Sequence, residues 1–137
     1  MKFLIAGLGS IGRRHLRNLL ALGENDIVLY RTHLSTFNDE EFNQFPVETD
    51  LNAALANKPD GVIISNPTAL HLEVAIPSAR AGCSLMIEKP VSHSLEGIET
   101  LKNTLSESGG RALVGFQFRF HPTLQCIVNW LRQEEIG

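Results

Sequence analysis

The sequence predicts an α/β fold in which a doubly wound parallel sheet lies between two layers of helices, a three-layer αβα arrangement. Short apolar runs typical of strands alternate with helical patterns along most of the 137 residues. This alternation predicts parallel strands joined by right-handed helical crossovers. The run at residues 61–65 is apolar on both faces, which is typical of a central strand covered by helices on both sides. A glycine-rich loop also separates the first strand from the first helix.

The first three elements are predicted from the N-terminal fifty residues. Residues 1–6 are predicted to form a strand, and residues 13–20 a helix whose leucines share one face. Gly23 is predicted to end that helix, and residues 27–30 are predicted to form the second strand. Residues 32–46 are polar with scattered phenylalanines, and no element is assigned to them.

The same alternation continues through the rest of the chain. Further strands are predicted at residues 61–65, 84–87 and 112–116, and further helices at residues 51–57, 69–81, 95–106 and 121–133. Asp50, Thr68 and Ser94 precede three of these helices and are predicted to be their N-caps, because their side-chain oxygens suit unpaired N–H groups. Gly82 and Gly109 are predicted to end two of them.

Length and composition limit the class of protein. A chain of 137 residues with 43% hydrophobic and 20% charged residues suits one folded domain. The net charge of -3 argues against a nucleic-acid partner, and no apolar run reaches the length of a membrane span. The chain has only two cysteines, Cys83 and Cys126, which lie far apart and have no metal-ligand spacing. With so few cysteines, a reducing compartment is the simplest interpretation. We therefore expect a cytoplasmic protein with no nucleic-acid or membrane partner and no metal site.

The loop after the first strand carries the strongest functional signal. Residues 7–12 read Gly-Leu-Gly-Ser-Ile-Gly, a G-x-G-x-x-G pattern with a strand before it and a helix after it. Gly7 allows the tight turn, Gly9 leaves room for a pyrophosphate, and Gly12 lets the helix pack closely on the strand. The helix N-terminus supplies N–H groups for phosphates. The candidate cofactor-binding residues here are Gly7, Gly9, Ser10, Ile11 and Gly12. A glycine-rich turn that binds nothing is the alternative interpretation.

The end of the second predicted strand bears on the choice of cofactor. An NAD site usually has Asp or Glu about twenty residues after the glycines, but this chain has Arg31 and Thr32 there. A cation and a hydroxyl suit the 2′-phosphate of NADP, so the sequence favours NADP over NAD. The alternative is that Arg31 is a solvated surface residue. Arg13, which follows the third glycine, has the same two interpretations.

Two further strand ends carry polar residues. Asn66 and Pro67 follow the strand at residues 61–65, and His71 comes one turn into the next helix, where a packed or surface position is favoured over a cofactor contact. Glu88 and Lys89 follow the strand at residues 84–87. Because ligands of such sheets bind at the carboxyl ends of the strands, Lys89 is a candidate donor of a hydrogen bond or proton to a substrate oxygen. A turn with a solvated ion pair is the equally weighted alternative.

These motifs, in this order, resemble the glucose–fructose oxidoreductase/inositol dehydrogenase family (Gfo/Idh/MocA) over nearly the whole chain. The resemblance includes the glycine loop, the Asn-Pro-Thr-x-x-His segment, the Glu-Lys-Pro segment and residues 115–122. It implies dinucleotide contacts at Gly7, Gly9, Gly12, Arg31, Asn66, Pro67 and His71. It also implies that Glu88 lies near the nicotinamide ribose, that Lys89 positions substrate and nicotinamide, with proton transfer as an option, and that Gln117 and Arg119 pass beside the nicotinamide.

The resemblance is also incomplete. Family members are more than twice as long, and their second domain supplies most of the substrate pocket and a catalytic D-x-x-x-H motif that this sequence lacks. We therefore expect a dinucleotide-binding domain at residues 1–118 and the start of a truncated second domain at residues 119–137. The chain is then a fragment or a natural short form that binds NADP or NAD without turnover.

The expected function of the full-length protein is hydride transfer between a nicotinamide cofactor and a sugar, polyol or related substrate. A non-catalytic NAD(P)-binding sensor or scaffold is the main alternative, and a remnant that binds no cofactor is a weaker one. The predicted helix at residues 121–133 carries Trp130 and an apolar stripe, so a homo-oligomer is an option.

Overall fold

The computed structural model describes residues 1–32 and 42–136. Most of the stretch at residues 32–46, to which the sequence assigned no element, lies outside the described residues, and so does Gly137. The elements in chain order are β1 (Lys2–Ala6), α1 (Ser10–Ala21), β2 (Asp26–Tyr30), β3 (Val47–Glu48), α2 (Leu51–Ala56), β4 (Gly61–Ile64), α3 (His71–Arg80), β5 (Ser84–Ile87), α4 (Ile98–Ser108), β6 (Ala112–Val114) and α5 (Pro122–Arg132). 3₁₀ turns also lie at Thr68–Leu70 and Gln117–Phe120.

The six strands form one parallel sheet with the order β3-β2-β1-β4-β5-β6. The chain winds outward in one direction from β1 to β3, then returns to the other side of β1 at β4. The point between β1 and β4, where the winding reverses, is where α/β sheets of this kind bind ligands, outside the carboxyl ends of the strands. The doubly wound, Rossmann-type sheet predicted from the sequence is confirmed.

Helices cover both faces of this sheet and bury two hydrophobic clusters. Neighbouring residues of β1 belong to opposite clusters, because successive strand side chains alternate. Leu4 packs with Val62 and Val74 under α3, while Ile5 packs with Leu16 under α1. All four residues of β4 are buried, which confirms the predicted central strand.

One of the three predicted N-caps is confirmed. Asp50 Oδ1 accepts a hydrogen bond of 2.8 Å from the backbone N–H of Ala53. Thr68 instead begins a 3₁₀ turn without a side-chain cap, and α3 starts at His71. The prediction for Thr68 was therefore wrong, because the chain tightens into a 3₁₀ turn before it enters the α-helix.

The prediction of Ser94 as the cap of α4 was also wrong. The helix begins at Ile98, directly after Gly97, whose φ of 80° lies in the left-handed region. A Cβ on Gly97 would lie 3.1 Å from Leu72 Cδ1, so a glycine suits both the backbone and the close approach to α3. The left-handed residue prevents the helix from extending back toward Ser94. Strand β3 was not predicted, because two residues are too few to show an alternating pattern.

None of the described helices is long and apolar enough to span a membrane.

Candidate functional site

The glycine loop forms the turn between β1 and α1 at the point where the sheet winding reverses. Gly7 has a φ of 91°, and a Cβ there would lie 2.5 Å from the backbone nitrogen of Asn66. A Cβ on Gly12 would overlap the carbonyl oxygen of Gly7. Both positions therefore require glycine, one for the turn and one for the close packing of α1.

Gly9 has open space around it, unlike Gly7 and Gly12, the other two glycines of the motif. No heavy atom lies within 4 Å of the Cβ position that a side chain would occupy there, and α1 begins at the next residue, Ser10. The first N–H groups of an α-helix have no partner within the helix and carry partial positive charge. The open space in front of Gly9 therefore faces the kind of backbone that binds a phosphate.

Hydrogen bonds fix this loop to both neighbouring strands. The N–H of Gly7 donates to the carbonyl of Tyr30 at 3.0 Å, and Ser65 Oγ donates to the carbonyl of Gly7 at 2.9 Å. Arg13 Nε donates to the carbonyl of Leu8 at 3.1 Å. The guanidinium of Arg13 also lies 5.1 Å from the centre of the Phe42 ring, within cation–π range. The loop is thus held in shape before any ligand binds.

Two cavities open along the carboxyl edge of the sheet. The first has a volume of about 750 Å³ and lies between the glycine loop, the end of β2 and the start of α3. The predicted site residues that line it are Gly7, Gly9, Ser10, Arg31, Asn66 and Pro67. The second has a volume of about 680 Å³ and lies between α1 and the ends of β5 and β6. The predicted site residues that line it are Ile11, Asn66, His71, Glu88, Lys89 and Gln117.

Asn66 lines both cavities and carries an unsatisfied polar atom. Its Nδ2 donates to the carbonyl of Leu70 at 3.2 Å. Its buried Oδ1 has no hydrogen-bond partner within residues 1–32 and 42–136. Buried polar atoms are normally paired, and this unpaired one belongs to a residue that borders both cavities.

The end of β2 brings charge to the first cavity. Arg31 is half-buried and Thr32 is exposed, and both line this cavity. Burial raises the pKa of the Tyr30 hydroxyl, and the negative charges of Asp50 and Glu73 raise it further. Glu73, which the sequence analysis did not single out, therefore lies close enough to the end of β2 to affect its electrostatics.

The His71 side chain is packed inside the protein, as the sequence favoured. It is only 1% exposed. Its Nδ1 lies 3.0 Å from the carbonyl oxygen of Pro90, and its Nε2 lies 2.9 Å from that of Asn66. The ring thereby joins the loop after β4 to the loop after β5.

The Glu-Lys-Pro segment differs from the solvated ion pair that was one of its interpretations. Glu88 Oε1 lies 2.8 Å from His15 Nε2, and both side chains are largely buried. The backbone N–H of Lys89 donates to Glu88 Oε2 at 3.3 Å, while the Lys89 side chain is exposed. A Cβ on Gly115 would lie 3.2 Å from the Glu88 carboxyl carbon, so Gly115 leaves room for this carboxylate.

His15 lines the second cavity beside Glu88, although none of the sequence motifs includes it. It lies on α1, 73 residues from Glu88. No local pattern could have paired the two, although a histidine one turn after the third glycine lies near the carboxyl edge of the sheet. Among the described residues, no group of three or more His, Cys, Asp or Glu side chains is arranged to hold a metal ion.

Comparison with known proteins identifies the family. A model of the Gfo/Idh/MocA family, described as an oxidoreductase family with an NAD-binding Rossmann fold, matches residues 1–116. The 4-carboxy-2-hydroxymuconate-6-semialdehyde dehydrogenase of Sphingobium is 32% identical over the whole of this chain, which covers 45% of that relative. The scyllo-inositol 2-dehydrogenase (NAD(+)) of Bacillus subtilis is 28% identical over 97% of this chain and 40% of its own length.

Solved structures show the same fold. The WlbA dehydrogenase of Thermus thermophilus, crystallised with NAD and UDP-GlcNAcA, has a TM-score of 0.83 and 26% identity. The match covers 97% of this chain and 47% of that one. The WlbA dehydrogenase of Chromobacterium violaceum, crystallised with NADH and UDP-GlcNAcA, has a TM-score of 0.86 at 22% identity and shows the shared fold. Its match covers 100% of this chain and 41% of that one.

The chain spans less than half the length of these relatives. The family model nevertheless covers both the glycine loop and the Glu-Lys-Pro segment. The chain belongs to the Gfo/Idh/MocA oxidoreductase family and carries its NAD-binding Rossmann domain.

Proposed function

We propose that this domain serves an NAD(P)-dependent oxidoreductase that transfers hydride between a nicotinamide cofactor and a sugar, polyol or related substrate. The observation that carries the proposal is the open space in front of Gly9, where the first cavity meets the N-terminus of α1. A dinucleotide is long enough to use both cavities, and Asn66 lines both of them.

The residues present fit such a cofactor. The open space at Gly9 and the N-terminus of α1 suit a pyrophosphate. Arg31, Asn66 and Pro67 would hold the adenosine half from the first cavity. When bound, the nicotinamide accepts or donates a hydride, which is chemistry that side chains do not supply.

We favour NADP over NAD for this domain, because Arg31 and Thr32 line the first cavity at the end of β2. A guanidinium binds a 2′-phosphate through charge-assisted hydrogen bonds. NAD is the competing cofactor, and the two WlbA dehydrogenases described above contain NAD or NADH.

The second cavity supplies the groups for the reacting end. Lys89 is exposed at the end of β5, where its ammonium is available to a substrate oxygen as a hydrogen-bond or proton donor. Glu88 is held by His15 and would stay on the ribose side. Gln117 lines the same cavity and would lie beside the nicotinamide. His71 is a positioning residue in this proposal, because both of its ring nitrogens contact the protein backbone.

For the whole protein we retain the division into a dinucleotide-binding domain at residues 1–118 and a second unit that begins at residue 119. The exposed apolar side chains of α5, which include Trp130 and Leu131, support packing against further structure or self-association. A cytoplasmic location and the absence of nucleic-acid and membrane partners stay predictions from composition.

The test is a calorimetric titration of this chain with NADPH and NADH. We expect saturable binding of both. An Asn66→Ala variant should bind about tenfold more weakly, because it removes a side chain that borders both cavities and the hydrogen bond to Leu70 that holds this loop. Asn103→Ala changes an exposed residue of α4 and is the matched control. If neither dinucleotide binds at millimolar concentration, the proposal is wrong.

The sensor or scaffold alternative is tested on the full-length protein. Turnover of a sugar or polyol with either cofactor supports the oxidoreductase, and Lys89→Met should then abolish most of it. Cofactor binding without turnover across a panel of such substrates favours the sensor or scaffold.

A further inference from the structure

We propose that Glu73 recognises the nucleobase of the dinucleotide, with its carboxylate accepting a hydrogen bond from the exocyclic amine of adenine. The site would then select adenine dinucleotides over those that carry hypoxanthine. This inference rests on the proposed function, because it concerns the base-binding end of the same cavity.

The first step is the position of Glu73. It lies in the first turn of α3 and lines the first cavity. Among the described residues that line this cavity, Glu73 is the one acidic side chain. It is exposed, so its carboxylate needs no buried partner and is available to a ligand.

The second step is the surroundings of that carboxylate. Pro67, Leu70 and Val74 line the same cavity on the α3 side, and Leu51 lines it from the start of α2. These apolar side chains suit the two flat faces of a purine ring. A polar group at the edge of such a slot fixes orientation and supplies specificity.

The third step is the direction in which the cofactor runs. The pyrophosphate belongs at the N-terminus of α1, so the adenosine extends from there toward the end of β2. Glu73 and Tyr30, the last residue of β2, line the same cavity, and the negative charge of Glu73 contributes to the raised pKa of the Tyr30 hydroxyl. Glu73 therefore lies on the side where the base, and not the phosphate, is expected. A carboxylate beside the phosphates would repel them.

The last step is the chemistry of the base edge. An ionised carboxylate accepts hydrogen bonds and donates none. The exocyclic amine of adenine is a donor, whereas hypoxanthine carries an acceptor oxygen at the same position. Tyr30 lines the same cavity. Its hydroxyl can both donate and accept a hydrogen bond, so it does not distinguish the two bases. Glu73 is therefore the group that discriminates between them.

The experiment compares the affinity of the chain for NADH and for nicotinamide hypoxanthine dinucleotide (reduced form), by calorimetry on the same protein. The wild type should prefer the adenine form by about tenfold, the low end for a hydrogen bond to a charged group because Glu73 is exposed. Glu73→Gln should abolish this preference, so that the variant binds the two dinucleotides with about equal affinity, because the glutamine amide can donate a hydrogen bond to the hypoxanthine oxygen. Glu107→Gln, on the exposed face of α4, should leave the preference unchanged.

The outcomes separate this inference from the proposed function. Equal binding of the two dinucleotides by the wild type overturns the role of Glu73 and leaves the cofactor proposal standing. If the wild type prefers the adenine form and Glu73→Gln keeps that preference, the role of Glu73 is likewise overturned and the cofactor proposal stands. Failure of both dinucleotides to bind overturns the role of Glu73 together with the proposed function. Thermal unfolding of each variant shows that it is folded before its affinities are compared.

Discussion

His15 of α1 and Glu88 at the end of β5 form a contact of 2.8 Å between Nε2 and Oε1. Their side chains are only 12% and 18% exposed. The contact joins the helix that begins at the glycine loop to the Glu-Lys-Pro segment. The two regions that we assign to the cofactor are thereby held together across the sheet, and the orientation of Glu88 depends on a residue outside both motifs.

Removing His15 should destabilise the protein through Glu88. His15→Ala leaves a largely buried carboxylate without its histidine partner, which should lower the free energy of unfolding by about 1–3 kcal/mol. Glu88→Gln should lower the free energy of unfolding less in the His15→Ala variant than in the wild type. A double-mutant cycle by urea unfolding should therefore give a coupling free energy of at least about 0.5 kcal/mol. Strictly additive effects of the two substitutions would show that the contact contributes nothing to stability.

Two glycines of the same loop should respond to substitution in opposite ways. Gly9→Val adds a side chain to open space, so the thermal unfolding temperature should change little while the affinity for NADPH and NADH falls at least tenfold. Gly12→Ala forces a methyl group against the carbonyl of Gly7, so it should lower the unfolding temperature. Calorimetry and thermal unfolding of both variants check this. A Gly9→Val protein that binds dinucleotide normally would contradict the phosphate assignment.

The parts of the site that were predictable are those encoded by local order along the chain. The glycine loop is recognisable because a strand, a tight turn and a helix follow one another within the first 21 residues. Glu88 and Lys89 could be placed at the carboxyl edge of the sheet because they follow an apolar strand, and the ends of parallel strands share one edge.

The missed features depend on packing between distant segments. The partner of Glu88 is 73 residues away, and only the packing of α1 against the sheet brings it close. The start of α4 was misplaced because Ser94 has the chemistry of a cap, whereas the left-handed Gly97 and its contact with Leu72 decide where the helix begins. Glu73 was overlooked because a helical glutamate in sequence resembles any solvated residue.

The charge at the end of β2 should control the choice between the two cofactors. Arg31→Asp replaces an attractive group with a repulsive one, so the affinity for NADPH should fall at least tenfold, as for the loss of a charge-assisted hydrogen bond. The affinity for NADH should change much less. Parallel titrations check this, with Arg111→Asp, an exposed residue beside β6, as the control. Equal losses for NADH and NADPH would remove Arg31 as the basis for preferring NADP.

Tyr30 should make stability fall at alkaline pH. Burial, with the charges of Asp50 and Glu73, raises its pKa in the folded protein, whereas the unfolded chain has the ordinary value near 10. Above pH 10 the unfolded chain therefore loses this proton first, and the folded protein binds more protons. The free energy of unfolding must then decrease as the pH rises from about 10 through the folded pKa.

Tyr30→Phe lacks this group, so its unfolding temperature should decline less steeply over the same alkaline range. Burial also raises the pKa of the Cys83 thiol, but this thiol is present in both proteins and contributes equally to both profiles. Tyr30 is the single tyrosine of the chain, so its ultraviolet titration reports this hydroxyl alone. In the wild type that titration should be displaced above pH 10, and Glu73→Gln should bring it part of the way back, since Glu73 is a smaller cause than burial. Parallel pH profiles for the wild type and Tyr30→Phe would show that the hydroxyl is as accessible to water as in the unfolded chain.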